Sequence, residues 1–348
     1  LWCVTALVMH GVKTDTFVNN ITTIAKVIPI AMFIILAILN FNPHTFMAHF
    51  DSTAVYNVSA GHWTHVSIFN QSKTVLLSAM WTLIGIESGT IFATRAKKLS
   101  DVAKATTIGA IIVIILLVGT SVLSLGLMAP SKISALHDPS MAGLMASMTG
   151  PWGGYLIDIC LIIAVTGALI AWVGLCSEEL RLPGRGGSAT VWLNQLNKNE
   201  APSNALWVTS GLTQVLMIIA GIYSAGYAVL LKFSTSLSIV PYLFVALYAL
   251  KSVIKGTGFE NRPTHERVTS GILAVLAVAF AFFMIFGAGL RYLLLAAIVW
   301  MTGFWFFYKG KKEQNLKFTT MEKICWVVIA LMAIAGLIGL FTGKLVVN

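Results

Sequence analysis

Nine stretches of this chain are apolar almost without interruption for about 20 residues, the length an α-helix needs to cross about 30 Å of hydrocarbon. They lie near residues 21–40, 74–94, 106–129, 153–176, 205–224, 234–254, 268–288, 291–308 and 324–343. A backbone in lipid has to satisfy its own polar groups, which leaves helices and closed barrels. Barrel strands alternate apolar and polar in segments of about ten. These runs do not alternate, so the chain reads as an all-α polytopic membrane protein, one transmembrane domain over residues 1–348. Residues 1–12 are apolar but too short to cross; they read as the last turns of another span, so the sequence reads as N-terminally incomplete. Composition agrees, with 57% hydrophobic and only 10% charged residues, where soluble domains carry about 25% charged.

A net charge of +10 would suggest nucleic acid in a soluble domain. Here loop asymmetry accounts for it. The connections on one side hold 17 Lys and Arg residues, against 5 on the other side, namely Lys73, Lys132, Lys232, Arg291 and Lys344. The basic side is expected in the cytoplasm, which puts the C-terminal tail outside a plasma (inner) membrane and removes the case for a nucleic-acid partner. Cys3, Cys160, Cys176 and Cys325 lie in apolar runs without a CxxC pair and read as small buried residues. No HExxH, Gly-rich phosphate loop or paired His argues for an enzyme, cofactor or metal, and no filter motif argues for a channel. Most His residues fall in the long outward connections 41–73 and 131–150 and are assigned no role.

Three ionisable residues fall inside spans, Lys26, Glu87 and Asp158. A charge at mid-bilayer costs about 2.5–3.5 kcal/mol on insertion scales, so each needs a partner, a wet cavity or a neutral form. Asp158, about two turns into its helix, reads as a partly hydrated structural residue. Glu87 is different, because Gly85 and Gly89 bracket Glu87 and Ser88 at mid-span. Two glycines and two polar residues in five weaken a helix where lipid offers no substitute hydrogen bonds. An unwound stretch is expected, and discontinuous helices form the substrate sites of secondary transporters. A half-helix starting near Gly89 would aim N-terminal amides at a carboxylate. Trp81, six residues before Glu87, would attract a cation by about 0.5–2 kcal/mol. That combination suits a zwitterionic or cationic amino acid. The plainer alternative is a small-residue packing face.

The segment WTLIGIESGTIFATRAKKLSDVAKATTIG, residues 81–109, resembles the sixth helix and following loop of the amino acid, polyamine and organocation (APC) superfamily, where W-x-F-I-G-x-E leads into a basic loop. It is most similar to basic amino acid/polyamine antiporters, arginine/ornithine antiporters among them. Residues 19–33 resemble the fifth helix of that superfamily, 166–179 the eighth, 196–206 the loop before the ninth and 234–243 the tenth. The resemblance implies a five-plus-five inverted-repeat, leucine-transporter-like fold with extra C-terminal helices, its first repeat largely missing here.

By the same resemblance Trp81 would stack on the substrate guanidinium, Ile84 would offer its carbonyl to the substrate amine, and Gly85 and Ser88 would complete that segment. Glu87 matches an acidic gating residue, Trp172 the aromatic beneath the substrate, Ser234 a polar position near the guanidinium and Tyr242 a gate tyrosine. Lys26 would place its ammonium where sodium-coupled relatives hold the ion, as a buried amine. The loop LRLPGRGGSATVW departs from the family's A-x-D-G-x-F-P, which puts its role in doubt.

The implied function is exchange of cationic amino acids, arginine for ornithine first, with lysine or another basic amino acid as further candidate substrates and a homodimer as candidate assembly. Two monocations exchanged one for one move no net charge. The alternatives are a proton-coupled uniporter of basic or neutral amino acids, with Lys26 and Glu87 titrating, and an inactive fragment, since half a repeat leaves the other half's ligating groups unsupplied.

Overall fold

The computed structural model describes residues 1–11, 16–48, 50, 54–57, 62–91, 96–222, 227–260, 262–343 and 345. Among the described residues thirteen α-helices follow one another: α1 (Trp2–Met9), α2 (Thr16–Leu39), α3 (Pro43–Met47), α4 (Ile68–Trp81), α5 (Ser88–Ile91), α6 (Leu99–Leu127), α7 (Pro130–Ser134), α8 (Ser140–Thr149), α9 (Pro151–Arg185), α10 (Ser203–Ile222), α11 (Tyr227–Lys255), α12 (Thr264–Glu313) and α13 (Thr320–Phe341). A small antiparallel hairpin, β1 (Ala54–Asn57) with β2 (His62–His65), pairs Ala54 with His65.

Among the described residues seven helices are long and apolar enough to cross a membrane: α2 from Asn20, α6 from Ser100, α9, α10, α11 from Val229, α12 and α13. Eight of the nine expected spans map onto these seven. α12 runs for 50 residues and contains both 268–288 and 291–308, with Gly289 alone outside helical geometry (φ 73°, ψ 161°). Gly289 therefore divides α12 into two helical segments whose combined rise, about 75 Å at 1.5 Å per residue, is enough for two crossings. The ninth span, 74–94, is the one that breaks, into α4 and α5; residues 92–94 lie outside the described set. The chain is thus a multi-pass integral membrane protein. α6 is apolar on every side and exposes Ile108, Ile111, Ile115, Val118 and Val122, the surface of a helix solvated by lipid.

The described residues cluster into two compact units. The first holds Leu1–Ile68, Gly85–Leu182 and Trp192–Gln214. Its core packs Phe33 and Ala37 of α2 against Leu144 and Met145 of α8 and Ile157 of α9. Helices approach where side chains are small: Gly167 of α9 takes Thr22 of α2, Gly119 of α6 takes Ile34, and Gly126 takes the Phe41 ring. α1 is tied to α10 by a buried Thr5–Ser210 hydroxyl bond of 2.8 Å.

The second unit holds Phe69–Ile84, Pro183–Val191 and Val215–Asn348. Leu77 of α4, Ile239 of α11 and Met284 and Ala288 of α12 form its core. The departing loop after α9 is sewn to α12. Thr190 and Val191 donate to the Glu313 carboxylate (both 2.7 Å), and Gly310 leaves room for the Ala189 backbone. α13 opens on a Thr319–Glu322 capping box, and Trp326 packs edge-on against Phe304 at 5.0 Å. Trp326 is therefore a packing aromatic, as its position suggests.

Candidate substrate site at the broken helix

α4 stops at Trp81 and α5 starts at Ser88; residues 82–87 between them are tight turns. The residues explain the break. Gly85 sits at φ +106°, a conformation that side chains with a Cβ resist. Thr82 turns its hydroxyl back onto the Ala79 carbonyl (2.6 Å), as threonines do where a helix loosens. The Glu87 carboxylate accepts the Gly85 N–H at 2.8 Å and so closes the turn on itself. The expectation that free amides would greet a ligand needs correcting. Ile84 donates to Trp81 (3.2 Å), Ser88 to Gly85 (3.0 Å) and Gly89 to Ile86 (3.4 Å), so these amides are already used within the turn. The Ile84 carbonyl, in contrast, accepts no backbone N–H among the described residues.

Within the first unit the structure brings Gly85 and Trp172 together. A Cβ at Gly85 would stand 2.9 Å from Cζ2 and 3.1 Å from Cη2 of that indole, so the unwound backbone lies directly against the aromatic of α9. Next to it Ser88 is buried, and its hydroxyl has no hydrogen-bond partner among the described residues. Such an orphan costs about 1–3 kcal/mol and is a natural contact for a polar ligand. Glu87 lies close enough to Glu179 for the two carboxylates to repel each other. The neighbouring Glu178 is engaged otherwise, clasping Arg181 at 2.5 and 2.7 Å, while Arg181 also reaches Asn194 at 2.9 Å.

Within the second unit Trp81 ends α4 and Ile84 follows in the turns. One turn earlier, the Leu77 carbonyl accepts from the fully buried Thr235 of α11 at 3.1 Å. This bond holds the neighbour of Ser234 against the helix that carries Trp81. Ser234 itself donates to Leu231 at 3.0 Å. Tyr242 is half-buried after Pro241, two turns further along α11.

Lys26 departs from expectation. It shares the helical stripe of Thr22, Phe33 and Ala37, all buried, yet its own side chain is exposed, since a four-carbon stem can carry an ammonium past packed neighbours. Asp158 is half-buried on α9. Sequence reasoning missed Glu179, because α9 was expected to end near 176 and instead runs to Arg185. It also missed Thr235, although three hydroxyl residues in a row at 234–236 of an apolar helix were a readable signal.

The profile of the amino acid permease family matches residues 1–292. The chain is 36% identical to an arginine/ornithine antiporter of Pseudomonas aeruginosa over 99% of its own length and 71% of that protein's. It is 30% identical to an arginine/ornithine antiporter of Latilactobacillus sakei, again over 99% and 71%. A third relative, arginine/ornithine antiporter ArcD2 of Lactococcus lactis, is 30% identical over 98% of this chain and 69% of its own. Together with the membrane-crossing helices these likenesses make the protein an amino acid transporter. The chain belongs to the amino acid permease family.

Proposed function

We propose that the protein exchanges cationic amino acids across the plasma membrane, arginine for ornithine, by alternating access. The observation that carries this reading is the break between Trp81 and Ser88, with Trp172 against Gly85 and the Ser88 hydroxyl buried without a partner. The named relatives supply the substrate pair. In this reading Trp81 stacks on the guanidinium, Ile84 offers its open carbonyl to the α-amine, and Gly85, Ser88, Trp172 and Ser234 complete the contacts. Glu87 and Tyr242 act in gating, and Lys26, exposed on α2, supplies a fixed cation. The family's inverted repeat and an outward C-terminal tail belong to the same proposal.

The experiment is ornithine-driven arginine uptake in proteoliposomes. Trp81→Leu should slow it about 2- to 30-fold, the loss of 0.5–2 kcal/mol of cation–π attraction; unchanged uptake removes the stacking argument. One observation favours a second reading. Glu179 of α9 lies within electrostatic reach of Glu87, a second acidic group at the break that suits the alternative of a proton-coupled uniporter of basic or neutral amino acids. Collapsing the proton gradient separates the two, because obligate exchange would barely respond.

A further inference from the structure

The second unit contains a cavity of about 350 Å³ lined by Asn70, Lys73 and Leu77 of α4, Lys232 of α11, and Gly287 and Tyr292 of α12. At about 30 Å³ per water it holds on the order of ten water molecules. Its chemistry is one-sided. Two lysines line one space, and among the described residues no carboxylate lines it. Among the described residues neither lysine takes part in an ion pair. Lys73 rests instead 4.8 Å above the Phe286 ring. Beside the cavity, Arg291 packs against the lining Tyr292, with its guanidinium carbon 5.8 Å from the ring. Its Nε and Nη2 are buried and have no hydrogen-bond partner among the described residues. A buried, unpaired guanidinium N–H is costly to leave unmade. Two ammonium groups sharing a cavity repel until an anion sits between them.

The depth of the cavity in the membrane follows from helix lengths. α12 is too long for one crossing, so the non-helical Gly289 marks where one crossing ends and the next begins. Arg291 and Tyr292 follow at once. Lys232 stands in the second turn of α11, which opens at Tyr227, and Lys73 lies in the short α4 that packs on both. The three cations therefore lie at one edge of the hydrocarbon, the level of phosphate headgroups, and basic pockets between transmembrane helices recognise such headgroups.

We infer that Lys73 and Lys232, with Arg291 beside them, form a phosphate-binding site, occupied by the headgroup of an anionic lipid or by free phosphate. A cationic substrate is disfavoured here by the same charges. The test uses the purified protein in two arms. Native mass spectrometry after reconstitution in mixed phosphatidylglycerol and phosphatidylcholine reads which lipid is retained. Thermal unfolding in inorganic phosphate, against chloride at equal ionic strength, reads the free anion. Retention of phosphatidylglycerol over phosphatidylcholine assigns the site to lipid; stabilisation by phosphate without lipid preference assigns it to the free ion. In either arm Lys73→Gln and Lys232→Gln should each weaken the response about tenfold or more, the loss of a charge-assisted hydrogen bond. Lys73→Arg with Lys232→Arg should preserve it, and Arg291→Gln gives an independent loss if the glutamine variants fold poorly. The inference is overturned if wild type shows neither preference, or if the folded glutamine or Arg291→Gln variants respond as wild type does.

Discussion

Replacing Gly85 with alanine tests whether the break in the helix is a built feature. The magnitude follows from two contributions. A Cβ at φ +106° costs about 1–2 kcal/mol. That Cβ would also stand 2.9 Å from the Trp172 indole, and pushing a ring about 30° off its rotamer costs about 0.5–1.5 kcal/mol. Together they give about 1.5–3.5 kcal/mol, a roughly 10- to 400-fold fall in the population of the intact turn. The assay is thermal or denaturant unfolding of purified protein, alongside arginine uptake in proteoliposomes. Trp172→Ala in the same background removes the collision and leaves the backbone strain. The double variant should therefore lose less stability than the two single changes added together, by about 1 kcal/mol. Stability is the readout for that cycle, because Trp172 is itself a proposed substrate contact. If Gly85→Ala unfolds and transports like wild type, residues 82–87 are not held as described. If the two changes are simply additive, the indole does not press on the turn.

Three further outcomes can be checked. Glu87→Gln keeps an oxygen that can accept the Gly85 N–H, whereas Glu87→Ala leaves that amide unpaired. The alanine variant should be less stable by about 1–3 kcal/mol, and equal unfolding midpoints for the two would refute the closing role of the carboxylate. Thr235→Val removes the donor to Leu77 at nearly constant volume and should lower stability by about 1 kcal/mol in the same unfolding assay. Glu260, in the exposed turn between α11 and α12, has its carboxyl held below the usual carboxylate range by its own N–H and that of Gly258. A depressed native value means that this stabilisation is present above the unfolded pKa and lost as pH falls through the folded one. The protection factor at Gly258 and Glu260, with intrinsic pH dependence divided out, should fall as acid is added in wild type and depend less on pH in Glu260→Gln.

Most of the fold was legible because lipid enforces run length. The break was legible as well, since Gly85, Glu87, Ser88 and Gly89 cluster where helix needs the opposite. What escaped was set by contacts between distant positions. α9 continues past 176 because Arg181 is clasped by Glu178 and held by Asn194, pairs that no apolar window registers. The connections 41–73 and 131–150 read only as loops, yet contain α3, the β1–β2 hairpin, α7 and α8. These elements are too short for periodicity to emerge, and α3 depends on an Asn42 cap that accepts from His44 and Thr45. The fate of the amides at the break was equally hidden, because it turns on Glu87 folding back two residues.

The glycines of α6 show how unevenly a lipid-solvated helix records its own sequence. Among the described residues nothing approaches Gly109, while Gly119 fits against Ile34 and Gly126 admits a phenyl ring. One residue type is thus dispensable ten positions before it is useful and seventeen before it is required. Across the outer skin, where Ile108, Ile115 and Val122 are exposed, any oily side chain serves as well as another. Drift among relatives should therefore be fast and chemically bland on that skin and arrested at the notches, so that a catalogue of natural variants would trace the annulus of the bilayer around the protein.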